Sequence, residues 1–332
     1  MKTTIKDIAK EAGVSIATIS LIINGKAELF SPKTVKKVNE AIEKLNYQPN
    51  YFAKNLNSVK SNTIGLIVPD VSNPFFSKLA NSIENALNES GYLLFLCNSA
   101  YDLNREQKYI NEMLYRSIEG IIFASAENLN EATIEQLGKS NVPYILMDRP
   151  SRVVNNGVFV DDYTGGVIAT EHLISNGHTK IACLSGAEKF VNISERGRGY
   201  IETMKKHQLT PIYSENGTLT VESGYKEGLK LCGEDISAIF VCNDLMAIGV
   251  YEAINELGKV IPADISVLGF DDITTAQYLT PKLTTIHQPI EELGKVAVEN
   301  LVWRIQNKNE AVENYVAPVT LVERSSVKFE QN

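Results

Sequence analysis

The chain has 332 residues, 44% of them hydrophobic, which is enough for a small head and a larger body with sizeable cores. No run of about 18 apolar residues occurs, which excludes a membrane-spanning helix. Charge is divided unevenly: residues 1–60 hold ten lysines and no arginine against five acids, a net of +5, so within an overall −8 the remainder carries −13. A basic head on an acidic body is the footprint of a nucleic-acid module attached to something that avoids nucleic acid.

The head reads as three helices. Ile5, Ile8 and Ala9 share one face of a first helix, which Gly13 ends because glycine adopts a positive φ at no steric cost. Ser15 is a suitable N-cap for a second helix whose buried face is Val14, Ile19, Ile22 and Ile23. Its other face carries Ile16, Ala17, Thr18, Ser20 and Leu21, side chains short enough to let the helix enter a major groove. Taken alone, this pair would equally suit an ordinary small helical core. A third helix starts at Ser31, with Pro32 at its first position and Val38, Ala41, Ile42 and Leu45 as its apolar stripe.

Three segments carry a family resemblance: the opening T-I-K-D-I-A-K-E-A-G-V-S-x-A-T-I-S, the joint Asn46-Tyr47-Gln48-Pro49-Asn50, and Ala53-Lys54-Asn55-Leu56. With them the chain resembles the LacI/GalR family of bacterial transcription regulators, and the likeness continues through nearly all the remaining residues. It implies a helix-turn-helix DNA-binding domain over 1–46, a hinge helix or linker over 47–61, and an effector-binding and dimerisation domain over 62–332. The implied DNA-binding residues are Ser15, Ile16, Ala17, Thr18, Ser20, Leu21, Asn24, Thr34, Tyr47, Asn50, Ala53 and Leu56. Where the family commonly reads bases with Arg or His, this chain has Leu21, which cannot make the bidentate pair to guanine. The apolar set Ile16, Ala17 and Leu21 suits thymine methyls, with phosphate contacts expected from Thr18, Ser20, Asn24, Lys33, Thr34 and Tyr47. By the same resemblance residues 50–57 form a hinge helix on a pseudo-palindromic operator, with Leu56 wedged into the minor groove.

From residue 62 the pattern alternates. Strands are expected at 63–68, 92–97, 118–123, 143–147 and 158–160, then at 180–184, 238–242, 265–270 and 283–287, mostly separated by amphipathic helices. Short apolar strands alternating with helices predict parallel sheets covered on both faces. The fold class is therefore an N-terminal all-α helix-turn-helix head plus an α/β body of two doubly wound parallel-sheet lobes. One lobe is expected over 62–161 and 291–325, the other over 162–290. The body resembles periplasmic binding proteins, which places a ligand in the cleft at the strand ends.

Polar and aromatic groups gather at those strand ends. The resemblance to ribose-binding proteins, and to the ribose repressor branch through Thr284-Thr285-Ile286-His287-Gln288-Pro289, implies effector-binding roles for Asn73, Phe75, Phe76, Asp148, Arg149, Arg196, Asn243, Asp271 and Gln288. A sugar needs apolar walls for its C–H faces and carboxylate, amide and guanidinium groups for its hydroxyls. Read from the residues alone, Asn73-Pro74 also fits a turn with Phe75 and Phe76 in a core, Asp148-Arg149 a surface pair, and Asn243 and Asp271 backbone-fixing positions. Asp244 and Asp272 read as helix caps. Near Thr218-Leu219-Thr220 the family pattern calls for an aromatic wall, and Leu219 stands there instead, which leaves another pentose or polyol open.

The expected function is a DNA-binding repressor, not an enzyme, controlled by a small ribose-like sugar. Its alternative is a catabolite-control-type regulator whose effector is a phosphorylated carrier protein or a sugar phosphate. No nucleophilic triad, phosphate loop or metal-ligand spacing is present, and no cofactor is expected. The N-terminus reads as a capped helix rather than a signal peptide, and the scattered Cys97, Cys183, Cys232 and Cys242 as buried thiols, so a cytoplasmic homodimer is expected.

Overall fold

A computed structural model describes residues 3–23, 25–47, 61–124, 131–147, 156–186, 191–307 and 310–330. The chain divides into two compact units, Met1–Ser61 and Asn62–Asn332. In the first, α1 (Ile5–Ala12) begins where the Asp7 carboxylate accepts from the Thr4 backbone N–H at 2.8 Å and from its hydroxyl. These bonds hold the Asp7 carboxyl below its ordinary value. Gly13 closes the helix at φ +67°. The Ser15 hydroxyl accepts from Thr18 N–H at 3.1 Å and opens α2 (Ile16–Ile23). Ser31 caps α3 (Pro32–Lys44) through Thr34 N–H, with Pro32 in the first turn. Ile8, Ile19 and Val38 are fully buried where the three helices meet, each burial stabilising the head by roughly 1.5–3 kcal/mol. Val14, Ile23, Ile42 and Leu45 are half-buried at the rim of this core, shallower than the spacing predicted.

The body holds two six-stranded sheets. The chain builds the first from β1 (Thr63–Val68), α4 (Pro74–Glu89), β2 (Leu93–Asn98), α5 (Leu103–Tyr115), β3 (Gly120–Phe123), α6 (Glu131–Ser140), β4 (Tyr144–Met147) and β5 (Gly157–Val160). It then crosses to the second lobe: α7 (Asp162–Ser175), β6 (Ile181–Gly186), α8 (Val191–Lys206), β7 (Ile212–Gly217), α9 (Val221–Leu231), β8 (Ala238–Val241), α10 (Asp244–Glu256), β9 (Ser266–Asp271) and β10 (Thr284–His287). A second crossing leads to α11 (Ile290–Gln306), which packs against α4 and the first sheet, and on to β11 (Tyr315–Ala317) at that sheet's edge. Then β12 (Thr320–Val322) returns to the second sheet and pairs antiparallel with β10.

The strand orders are β11-β5-β4-β3-β1-β2 and β12-β10-β9-β8-β6-β7, parallel except for β12. Each order reverses direction at β1/β3 and β6/β8, the switch points beyond whose carboxyl ends such sheets bind ligands. The expected first lobe over 291–325 is too long at its far end, because 320–322 belong to the second sheet and a third crossing runs between 317 and 320.

Two strands depart from the sequence pattern. β7 was not expected: Ile212-Tyr213-Ser214-Glu215-Asn216-Gly217 is polar because it forms a sheet edge, where one side faces water. β2 was expected, but only Cys97 and, in part, Leu94 turn toward a core. Leu93, Phe95 and Leu96 are 64%, 39% and 42% exposed at the other sheet's edge.

Candidate functional site

In the head, α2 presents Ile16, Ala17, Ser20 and Leu21 along its outer face, opposite buried Ile19 and Ile22, and Ile16 is 44% exposed. Ser15 and Thr18 share a hydroxyl–hydroxyl bond of 2.9 Å, and Ser31 and Thr34 do the same. These hydroxyls therefore serve first as caps and sit beside helix N-terminal N–H groups, where anions are favoured. Tyr47 packs half-buried on the head core, and Lys33 is exposed. Asn24, Asn50, Ala53 and Leu56, with the expected hinge helix, lie outside the described residues.

In the body, the strand ends converge on one enclosed space between the lobes, lined by Asn73, Phe75, Phe76 and Tyr101 from one side. Asn192, Ile193, Arg196, Leu219, Asn243, Asp271 and Gln288 line the other. Asn73 caps α4 by accepting from Phe75 N–H at 3.0 Å, which fixes the turn that points both rings inward. Phe75 and Phe76 meet edge to face at 5.1 Å. Across the space Leu219, held at φ +63°, supplies an aliphatic wall at the position where an aromatic was expected. Asn243 caps α10 through Met246 N–H at 2.9 Å and donates to the Leu219 carbonyl. The turn and backbone-fixing readings of Asn73 and Asn243 thus hold alongside their place in the cleft.

Arg196 is the electrostatic centre, 2% exposed. Its Nε donates to Asp162 Oδ1 at 2.8 Å, and one terminal nitrogen donates to the Cys242 carbonyl at 2.7 Å and to Asp271 Oδ1 at 3.2 Å. Its guanidinium lies 3.7 Å above the Phe270 ring. Gln288 Nε2 donates to the same Asp271 oxygen at 2.7 Å. Burial pushes the Asp162 and Asp271 carboxyls up to about 6 against the opposing pull of Arg196. Asp271 also sits at φ +116°, a backbone state that non-glycine residues seldom hold without a local reason.

Asp244 and Asp272 are not the caps that the sequence predicts. Asn243 takes that role for α10, while fully buried Asp244 accepts from Ile273 N–H at 2.9 Å and from the Thr285 hydroxyl at 2.7 Å, tying β9 to β10. Burial raises its carboxyl well above the ordinary value. Asp272 instead pairs with His287 at 2.9 Å and with Arg324. Burial pushes its carboxyl up, but these two partners outweigh it and leave it below the usual value.

Asp148 and Arg149 lie outside the described residues. Tyr101 and Asn192 were not anticipated: one is a loop aromatic and the other an amide in a helix's first turn, and neither makes a pattern. The Asn192 side-chain oxygen is buried and finds no hydrogen-bond partner among the described residues. The space is about 30 Å³, far below the roughly 300–1,000 Å³ of ordinary ligand pockets. Among the described residues no cluster of three or more His, Cys, Asp and Glu could hold a metal ion, and no helix is long and apolar enough to cross a membrane. All four cysteines are buried free thiols.

Fold and site define a two-lobed ligand-binding body carried on a DNA-binding head. Residues 4–50 match the bacterial regulatory proteins of the lacI family, and residues 170–327 match the periplasmic binding protein-like domain. The chain is 36% identical to the HTH-type transcriptional repressor PurR of Aliivibrio salmonicida over 98% of both chains. It belongs to the lacI family of DNA-binding transcription regulators. Among solved structures it is similar to the lac repressor dimer bound to operator and an anti-inducer, at TM-score 0.89 and 28% identity over 99% of this chain and 100% of that one. It is also similar to a LacI family regulator from Enterococcus faecium with bound ribose, at TM-score 0.75 and 33% identity over 81% of this chain and 100% of that one.

Proposed function

We propose that the protein is a transcriptional repressor whose operator affinity is set by a small uncharged sugar, a ribose-like pentose, held between the lobes. The observation that carries this reading is the convergence of Asn73, Phe75, Phe76, Arg196, Asn243, Asp271 and Gln288 on one enclosed space. Aromatic and aliphatic walls there face C–H surfaces, while carboxylate and amide groups meet hydroxyls in both directions. Arg196 is already held by two carboxylates and a carbonyl, so the described lining favours a neutral polyol over a phosphate ester. The similarity to a ribose-bound regulator supports the same choice.

The working unit in this proposal is a homodimer. The exposed apolar edge at Leu93, Phe95 and Leu96 fits a second copy of the chain, and two heads suit a two-fold operator. Each α2 enters a major groove with Ile16, Ala17 and Leu21 toward the bases. Thr18, Ser20, Asn24, Lys33, Thr34 and Tyr47 meet the backbone, while Asn50, Ala53 and Leu56 belong to the hinge. A ligand that changes operator affinity 5–150-fold needs a coupling of only about 1–3 kcal/mol.

Calorimetric titration with ribose, ribose 5-phosphate, other pentoses and common hexoses tests the reading. The expected result is micromolar binding of one neutral pentose, weakened at least 100-fold in Asp271→Asn. Silence from every neutral sugar, or equal binding of the phosphate ester, overturns it.

A further inference from the structure

Asp162 is buried and ion-paired to Arg196, yet it does not line the enclosed space. It is the first residue of α7, immediately after the chain leaves the first lobe. Arg196 thus bonds a carboxylate at the first interlobe crossing and one, Asp271, on the cleft wall, besides the Cys242 carbonyl. The two helices that carry this pair leave each other no slack. A Cβ on Gly166 of α7 would stand 2.1 Å from the Arg196 carbonyl oxygen, and one on Gly199 of α8 would stand 2.3 Å from the Tyr163 carbonyl oxygen. Backbones in such contact move together. At the second crossing Gln288 reaches the same Asp271 oxygen that Arg196 does.

We infer that Asp162 is the positioning residue through which occupancy of the cleft reaches the first interlobe crossing. A ligand hydroxyl that bonds Asp271 or Arg196 weakens the hold between those two. The guanidinium then shifts its share toward Asp162, and the locked helix pair carries that shift into residues 160–162. The second crossing receives its own signal through Gln288, so loss of Asp162 silences one crossing and spares the other.

The inference rests on the proposed sugar site, and the test separates the two. Calorimetry on the full chain with the pentose panel comes first, and absence of binding there overturns the sugar reading together with the inference built on it. With a binding pentose found, hydrogen–deuterium exchange is measured with and without saturating sugar for wild type and Asp162→Asn, which keeps the shape and an acceptor oxygen. In wild type, exchange at 158–166 and at 284–290 is expected to change at least fivefold. In Asp162→Asn the sugar is expected to bind within about tenfold of wild type, with the response at 158–166 falling below twofold and that at 284–290 retained. A wild-type response at 158–166 in the variant overturns the inference while leaving the sugar site standing. So does silence at 158–166 in the sugar-bound wild type, an arm that needs no variant to fold.

Discussion

Replacing Arg196 by methionine should destabilise the body in a way that depends steeply on pH. Asp162 and Asp271 ordinarily titrate near 3.8 and are raised to about 6 beside the guanidinium. A raised carboxyl contributes stability that is complete below about pH 4 and is lost as pH rises through about 6. At pH 7.5 that loss is on the order of 3 kcal/mol for each carboxyl. Without Arg196 the strongest pull against burial is gone, both carboxyls titrate higher still, and the loss at pH 7.5 grows further. The variant is then weaker than wild type by about 3–5 kcal/mol, the cost typical of a buried ion pair stripped of one partner. At pH 5 both carboxyls are largely protonated with or without the guanidinium, and the gap narrows toward what the lost Cys242 carbonyl bond and Phe270 contact account for. Urea unfolding at the two pH values, followed through the single tryptophan, Trp303 of α11, measures both gaps. Equal destabilisation at pH 5 and pH 7.5, or none at pH 7.5, would refute the reasoning.

Asn192→Ala should weaken pentose binding about tenfold, near one hydrogen bond, while leaving the unfolding midpoint level or higher because a buried unpaired oxygen is removed. Paired calorimetry and melting curves check this, and a fall in stability with unchanged affinity would count against it. Leu21→Arg should create a preference for G·C worth about 1–3 kcal/mol at one position of each half-site, read by competition between operator variants selected from random duplexes. Phe95→Lys should shift the protein toward monomer in sedimentation experiments by placing a charge on the exposed edge of β2, and an unchanged dimer would move the interface elsewhere.

Central strands were legible in the sequence because burial on both faces demands continuous apolar runs such as Thr63–Val68 and Ala238–Val241. Three of the four edge strands were not, since β7 is polar and β11 and β12 are three residues each. Exposure of β2 was equally hidden, because in sequence an apolar run left at an open edge looks like one that meets a core. At the site, strand-end polar residues could be found by their place alone. Deciding between neighbours could not be done that way: Asn243 rather than Asp244 caps α10, a one-residue difference settled by where β10 sets Thr285. Asn192 gave no signal because a lone amide in a helix reads as solvated surface until the opposite lobe covers it.

The closing steps of the fold bear on how the protein is made. β11 completes the first sheet and β12 the second, and both come from the eight residues 315–322. Ser326 then stitches this end to the second lobe, its hydroxyl donating to the Val267 carbonyl and accepting from Thr284 N–H. Neither lobe can finish on the ribosome before that stretch emerges, although the head, more than 250 residues earlier, has long been free to fold. A chain broken off before residue 315 leaves both sheets a strand short at once. Such a fragment carries a whole head on a body in which both sheets are unfinished, so truncation here harms the two lobes together rather than one at a time.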